Sequence, residues 1–262
     1  MAQFALDREL SRDLESFCRA ETILVALDFD GTLAPLVDDP MSARALPESV
    51  RAIGELAELE RTRVALVSGR DLASLDTLFP SSDRVLRIAS HGGEYRLDGE
   101  GAPPLSAAER ERVEALAAGL APPIAAVPGA ALERKPAGVA VHTRLADPAQ
   151  AAALQHAVRE WITHHDPLLA ERTGKDILEY SVLPAHKGEG IARLRDFTRA
   201  DAVFYAGDDV TDEDAFAALR PGDLGVKCGF GPTLASRRIA DPEEMASVLR
   251  ALVNFRIRAL AA

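Results

Sequence analysis

The chain has 262 residues, of which 47% are hydrophobic and 27% charged. That balance excludes a disordered protein and leaves room for one large domain or two modest ones of the usual roughly 100 to 200 residues. Acids outnumber bases, 41 to 30, for a formal net charge of −11, so nucleic acid and anionic membranes would be repelled. Two cysteines, Cys18 and Cys228, are too few for a disulfide framework or a cysteine zinc site, and a reducing cytoplasm is the expected compartment.

The stretch Met1 to Leu14 carries charges throughout and lacks the apolar run of a secretory signal. Leu6, Leu10, Leu14 and Phe17 recur at helical spacing, and the apolar run Thr22 to Leu27 then reads as a buried strand ending in Asp28 and Asp30. A helix over about Glu48 to Glu60 leads into a second buried run, Arg63 to Val67, which ends in Ser68-Gly69-Arg70 and a further helix. A third run, Val85 to Ala89, ends in His91-Gly92-Gly93. Short strands apolar on both faces, alternating with helices, predict an α/β fold with a parallel sheet covered on both sides.

After Gly101-Ala102-Pro103-Pro104 the pattern changes. A helix is expected from Ala107 to about Leu120, then strands Ala131 to Arg134 and Gly138 to Arg144, a helix after Asp147-Pro148, and a strand Asp176 to Val182. The window Ala115 to Leu132 carries no charge over 18 residues, but its three prolines and two glycines argue for a helix end, a turn and a strand rather than a membrane span. From Lys187 the earlier pattern returns: helix, strand Ala202 to Tyr205 ending in Gly207-Asp208-Asp209, helix from Asp212, strand Leu224 to Val226, and a C-terminal helix. The expected organisation is therefore a discontinuous core, 1–102 with 184–262, interrupted by an α/β insertion over 103–183.

In an open parallel sheet, ligands bind beyond the carboxyl ends of the strands, and those ends here carry Asp28, Asp30, Ser68, Arg70, His91, Asp208, Asp209 and Asp212. Several carboxylates at one rim repel unless a cation sits among them, and a site of oxygen donors suits Mg²⁺. Asp28 is the candidate nucleophile, since a carboxylate attacks phosphorus once a metal and a cation offset the repulsion. Asp30, two residues on, is placed to protonate a leaving oxygen and later to deprotonate water. Ser68-Gly69-Arg70, between strand and helix, offers a hydroxyl, main-chain N–H groups and a guanidinium to an anion. Lys187 opens a helix; a lone lysine is usually a solvated charge, and only its company raises it to a catalytic candidate. Asp208 is the better metal ligand of its cluster, with Asp209 and Asp212 left to bind the metal or orient its waters. Thr211 with Asp214 also fits a helix capping box.

Asp28-Phe29-Asp30-Gly31-Thr32, Ser68, Lys187 and Gly207-Asp208-Asp209, in this order, resemble the four motifs of the haloacid dehalogenase superfamily of aspartate-nucleophile phosphohydrolases. The longer string Gly207 to Phe216, with Val67-Ser68-Gly69-Arg70 and His91-Gly92, resembles the trehalose-6-phosphate phosphatases. That resemblance implies a Rossmann-like core with an α/β cap of the C2B type at the insertion. Asp28, Asp30, Ser68 and Lys187 would be catalytic. Asp28, the Asp30 main chain and Asp208 would hold Mg²⁺, and Arg70, His91 and Gly92 would lie at the substrate. Within the insertion Glu133-Arg134-Lys135, His142-Thr143-Arg144 and Glu179 resemble the family's Glu-x-Lys, His-x-Arg and lone Glu, so Glu133, Lys135 and Glu179 would hydrogen-bond the sugar. The implied activity is Mg²⁺-dependent hydrolysis of trehalose 6-phosphate through an aspartyl phosphate. The substrate would be a small sugar phosphate, with neither nucleic acid nor membrane as partner. Two alternatives stand beside it: a phosphatase for sucrose or glycosylglycerate phosphate, and a receiver-like domain that accepts a phosphoryl group without turnover. Asp30 and the insertion argue against the receiver, which uses neither a leaving-group acid nor a lid.

Overall fold

A computed structural model describes residues 6–80, 83–174 and 176–262, so the first five residues of the charged N-terminal stretch lie outside it. The chain divides into two compact units, Met1–Ala102 with Ala185–Ala262, and Pro103–Pro184. The first part of the first unit runs α1 (Arg8–Phe17), β1 (Ile23–Leu27), α2 (Pro47–Glu58), β2 (Thr62–Val67), α3 (Leu72–Leu78), β3 (Val85–Ala89), β4 (Glu94–Leu97) and β5 (Glu100–Gly101). The second unit holds α4 (Ala107–Ala125), β6 (Ala131–Lys135), β7 (Gly138–His142), α5 (Pro148–His165), β8 (Ala170–Gly174) and β9 (Ile177–Ser181). The chain then returns to the first unit with α6 (Lys187–Thr198), β10 (Ala202–Gly207), α7 (Asp212–Ala217), β11 (Leu224–Cys228), β12 (Arg237–Ile239) and α8 (Pro242–Leu260).

Helix starts follow their local chemistry. Asp7, Asp71, Ser106, Asp147 and Asp241 each accept main-chain N–H groups at an N-cap, and Pro148 and Pro242 follow two of these caps. Thr211 departs from expectation: its backbone is already helical and its side chain makes no cap bond. A capping hydroxyl needs a non-helical backbone to reach N2 or N3, and here the Asp209 N–H instead donates to Asp212 Oδ2 at 2.8 Å.

The first unit's sheet has the order β12-β11-β10-β1-β2-β3-β4-β5. It is parallel from β12 to β3, and β4 and β5 add an antiparallel edge that the apolar-run pattern does not announce, because their residues are mostly half-exposed or exposed. β1 is buried at every position. Ile23, Val25 and Leu27 pack into a core with Leu14, Ile53 and Leu249, while Leu24 and Ala26 face the opposite layer with Ile191 and Leu194. Chain order runs outward from β1 in one direction and from β10 in the other, so the carboxyl ends of these two neighbours form the switch point where a ligand crevice is expected. Arg256 on α8 is buried, and its guanidinium donates to the carbonyls of Cys18, Ala20, Glu21 and Arg61 at 2.6 to 2.8 Å, fixing the approaches to β1 and β2.

The second unit is a four-stranded antiparallel sheet, β6-β7-β9-β8. Val139, Val141, Leu178 and Tyr180 pack on one side against Leu116 and Leu120 of α4 and Leu154 and Val158 of α5. Helix α4 continues past the expected end at Leu120, through Pro122 and Pro123, to Ala125. Buried Ile124 joins the same cluster, and the helix closes on an Ala126 N–H to Pro122 carbonyl bond of 3.3 Å. No helix among the described residues is long and apolar enough to cross a membrane.

Candidate active site

Strand β1 delivers Asp28, whose N–H is still bonded to the Ala206 carbonyl of β10 at 2.9 Å, so the side chain emerges at the strand's carboxyl end, 4% exposed. β10 delivers Asp208 beside it, and the first residue of α7 delivers Asp212, wholly buried. Asp28, Asp208 and Asp212 bring carboxylate oxygens within 4.8 Å of one another. Lys187, the first residue of α6, is the counter-charge: its Nζ donates to Asp28 Oδ1 at 2.7 Å and to Asp212 Oδ1 at 2.6 Å. Lys187, which the sequence alone would leave as a solvated charge, is therefore buried between two acids.

Close packing at Gly31 explains how the acids come so near. Its φ of +72° is a left-handed conformation that favours glycine, and a Cβ there would lie 2.0 Å from Asp208 Oδ2. The Asp30-Gly31 main chain thus passes directly against the Asp208 carboxylate.

Three carboxylates face one ammonium in low-dielectric surroundings, and their proton affinities follow. Burial raises the Asp28 pKa, the nearby Asp212 and Asp208 charges add to it, and Lys187 only partly opposes them. Burial and the Asp212 charge push Asp208 up to about 7. For Lys187 burial favours the neutral amine, but Asp212 and Asp28 outweigh it and hold the pKa above the usual lysine range. Such an excess of buried negative charge, all of it on oxygen donors, fits a hard divalent cation.

Around this cluster the remaining residues form a braced rim. Arg70 forks onto Asp30, Nε to Oδ2 at 2.6 Å and Nη2 to Oδ1 at 2.7 Å, so the guanidinium assigned to the substrate anion is engaged by the candidate acid. Ser68 is 1% exposed and its Oγ accepts the Arg70 N–H at 3.2 Å. The His91 N–H donates to the Ser68 carbonyl at 3.0 Å, and its ring packs on Gly69. At Gly92, φ +111°, a Cβ would meet the His186 carbonyl at 2.9 Å, next to Lys187. Asp209 is exposed and stands outside the carboxylate group; its main chain is what the site uses, the N–H on Asp212 and the carbonyl accepting Lys227 Nζ at 3.0 Å. Lys227 and Tyr205, whose hydroxyl donates to Asp212 Oδ1 at 2.5 Å, are site residues that the sequence pattern does not single out. Both lie inside apolar strand runs, where a buried Tyr or Lys resembles core.

On the second unit, Glu133, Ala140, Glu179 and Arg172 form one cross-strand row, on the face away from the helices. Glu133 bonds His142 Nε2 at 2.8 Å and pairs with Lys135 at 3.2 Å, while Glu179 pairs with Arg172 at 3.5 Å. The His142 bond holds Glu133 below the usual carboxylate range, whereas burial raises Glu179 despite Lys135 and Arg172. Arg172 lies on β8, a strand the sequence pattern misses because charged and polar residues fill it.

A cavity of about 480 Å³ lies elsewhere, at the amino ends of β1 and β2. Arg61, Arg63 and Arg84 border it but pair with Glu21, Asp98 and Glu58. It is a cleft of ion pairs remote from the chemistry.

The model of the trehalose-phosphatase family matches residues 26–241, most of the chain and all of the acids at the strand ends. The chain belongs to that family. It is a branch of the haloacid dehalogenase superfamily, whose α/β fold the parallel sheet displays. The chain is 33% identical over 231 residues to the trehalose-6-phosphate phosphatase of Escherichia coli, covering 87% of this chain and 85% of that one. It is 34% identical over 258 residues to the bifunctional trehalose-6-phosphate synthase/phosphatase of Thermoproteus tenax, covering 93% of this chain and 34% of that protein. Several curated relatives are longer in this way, and the chain spans about a third to a half of their length. Among solved structures, the Aspergillus fumigatus trehalose-6-phosphate phosphatase superposes with a TM-score of 0.70 at 27% identity, covering 97% of this chain and 99% of that one.

Proposed function

We propose that this trehalose-phosphatase family member hydrolyses trehalose 6-phosphate to trehalose and phosphate, with Mg²⁺, in a reducing cytoplasm. The observation that carries the reading is the Lys187 bridge between Asp28 and Asp212 beside Asp208, in a family member whose relatives bear that activity in their names. Asp28 attacks phosphorus through a carboxylate oxygen; the P–O bond to the sugar breaks, and a proton on Asp30 goes to the departing sugar oxygen. Water then attacks the aspartyl phosphate, Asp30 takes its proton, and phosphate leaves with Asp28 restored. Lys187 offsets the charge that would otherwise keep Asp28 and the phosphate apart, and Ser68 offers its hydroxyl to a phosphate oxygen. Asp28, Asp208 and the Asp30 carbonyl would hold the cation, with Asp212 and the Asp209 turn behind them. Mg²⁺ supplies Lewis-acid charge to the phosphoryl oxygens when bound.

Glu133, Lys135 and Glu179 read the sugar, and the second unit acts as the substrate-selecting domain. Its polar face is suited to this: small Ala140 lies between the long side chains of Glu133 and Glu179 on the flanking strands. The test is phosphate release from trehalose 6-phosphate, sucrose 6-phosphate, a glycosylglycerate phosphate and glucose 6-phosphate, each with Mg²⁺ and then with EDTA. Trehalose 6-phosphate should be preferred and release should stop in EDTA. Preference for another sugar phosphate overturns the substrate, and a single phosphorylation without release overturns the enzyme.

A further inference from the structure

Tyr205 has a hydroxyl that packing alone does not require. It points to the face of β10 where Leu24, Ala26 and Val203 are all apolar, it is fully buried, and its ring meets Phe216 edge-on at 5.3 Å. Phenylalanine would fill the same space without a polar atom to satisfy. The oxygen instead donates to Asp212 Oδ1 at 2.5 Å. That same Oδ1 accepts Lys187 Nζ at 2.6 Å, and Oδ2 accepts the Asp209 N–H at 2.8 Å. Asp212 is thus held by donors from three different elements, β10, α6 and the turn before α7.

We infer that Tyr205 is a positioning residue for phosphoryl transfer: its hydroxyl fixes the Asp212 carboxylate, and through Asp212 it fixes Lys187 against Asp28. The inference rests on the phosphatase reading for its turnover arm. Geometry gives the reason for a neutral donor here. With Lys187 alone on Oδ1, the Asp209 N–H on Oδ2 is the other restraint on the carboxylate's terminal torsion, and any turn about it carries Nζ away from Asp28. A second cation on Asp212 would compete with Lys187 for the same oxygen. A phenol, which keeps its proton in these buried surroundings beside Asp212 and Asp28, supplies direction without charge. The path is short and contiguous, from Tyr205 Oη to Asp212 Oδ1, to Lys187 Nζ, to Asp28 Oδ1.

Tyr205→Phe removes one oxygen atom and tests this directly. With saturating Mg²⁺ and p-nitrophenyl phosphate, kcat should fall about 10-fold with KM and melting temperature little changed, the size of effect expected for a residue that orients a site from behind its ligands. In metal-free protein the Asp209 amide should lose hydrogen-exchange protection by about 10-fold, while the amides of β10 keep theirs. In an Asp212→Asn background, Tyr205→Phe should cause no further loss, since it acts through that carboxylate. The inference is overturned by a kcat within twofold of the parent, by unchanged Asp209 protection, by a uniform loss of protection with a lowered melting temperature, or by additive losses in the double variant. If the parent protein turns over neither aryl nor sugar phosphate, the phosphatase reading has failed, and the Asp209 amide decides whether Tyr205 holds Asp212.

Discussion

At the scale of single residues, the same burial that makes Asp28 costly to ionise also makes it useful. A carboxylate 4% exposed has few waters to shed before attacking phosphorus, and Lys187 keeps it in one orientation at 2.7 Å. Asp28→Asn is nearly isosteric, so the fold should persist, but an amide forms no acyl phosphate. Turnover of any phosphomonoester should drop by on the order of 10³ or more. In metal-free protein the melting temperature should hold or rise, because the substitution removes one of three mutually repelling carboxylates. Phosphate-release assays and a thermal melt on the same preparation check both halves. Residual hydrolysis within tenfold of the parent would take the nucleophile role away from Asp28.

At the scale of elements, what is legible in the sequence is what apolar patterning controls. β1, β3 and β10 are continuous buried runs and β2 is one broken only at half-exposed Arg63; all stop at polar residues or glycine, so the strand ends and their acids are readable together. β4, β5, β8 and β12 are short and lined with charged or half-exposed residues, and no periodicity distinguishes them from loop. The candidate site divides in the same way. Acids at strand tips are visible, whereas Tyr205 inside β10, Lys227 inside β11 and Arg172 on β8 are joined to candidate residues only by what lies across from them. The Arg70 fork on Asp30 is likewise a matter of rotamer, on which Ser68-Gly69-Arg70 as a string says nothing. The polar row across β6, β7, β9 and β8 yields a prediction of its own. If Glu133 and Glu179 bind the sugar as proposed, Glu133→Ala or Glu179→Ala should cost about 1 to 3 kcal/mol in kcat/KM for trehalose 6-phosphate, through hydrogen bonds lost to its hydroxyls. A small aryl phosphate, with no sugar to read, should be hydrolysed much as before. Equal losses on the two substrates would assign both residues to folding of the second unit.

At the scale of the whole molecule, an acidic chain of net charge −11 gathers three carboxylates at Asp28, Asp208 and Asp212, and in the proposed site proton and metal binding would be linked there. Asp208 has a folded-state pKa of about 7 against an ordinary 3.8. Between those limits the folded chain keeps a proton that the unfolded chain has released, so in metal-free protein this group's contribution to stability falls as pH rises from about 4 to about 7 and is level above. Carboxylates with lowered pKa, such as Asp166 paired with Arg112, act in the opposite sense but only at more acid pH, where their folded forms take up protons. A divalent cation displaces the Asp208 proton, so its binding should weaken by up to roughly 10-fold for each pH unit below 7, about 100-fold at pH 5. The measurement is the rise in melting temperature on adding Mg²⁺ to chelator-treated protein at pH 5, 6, 7.5 and 8.5. It should be small at pH 5, grow through pH 7.5 and change little beyond. A rise of equal size at every pH would mean that Mg²⁺ does not bind where Asp208 holds its proton, and would move the metal away from the Asp28, Asp208 and Asp212 cluster.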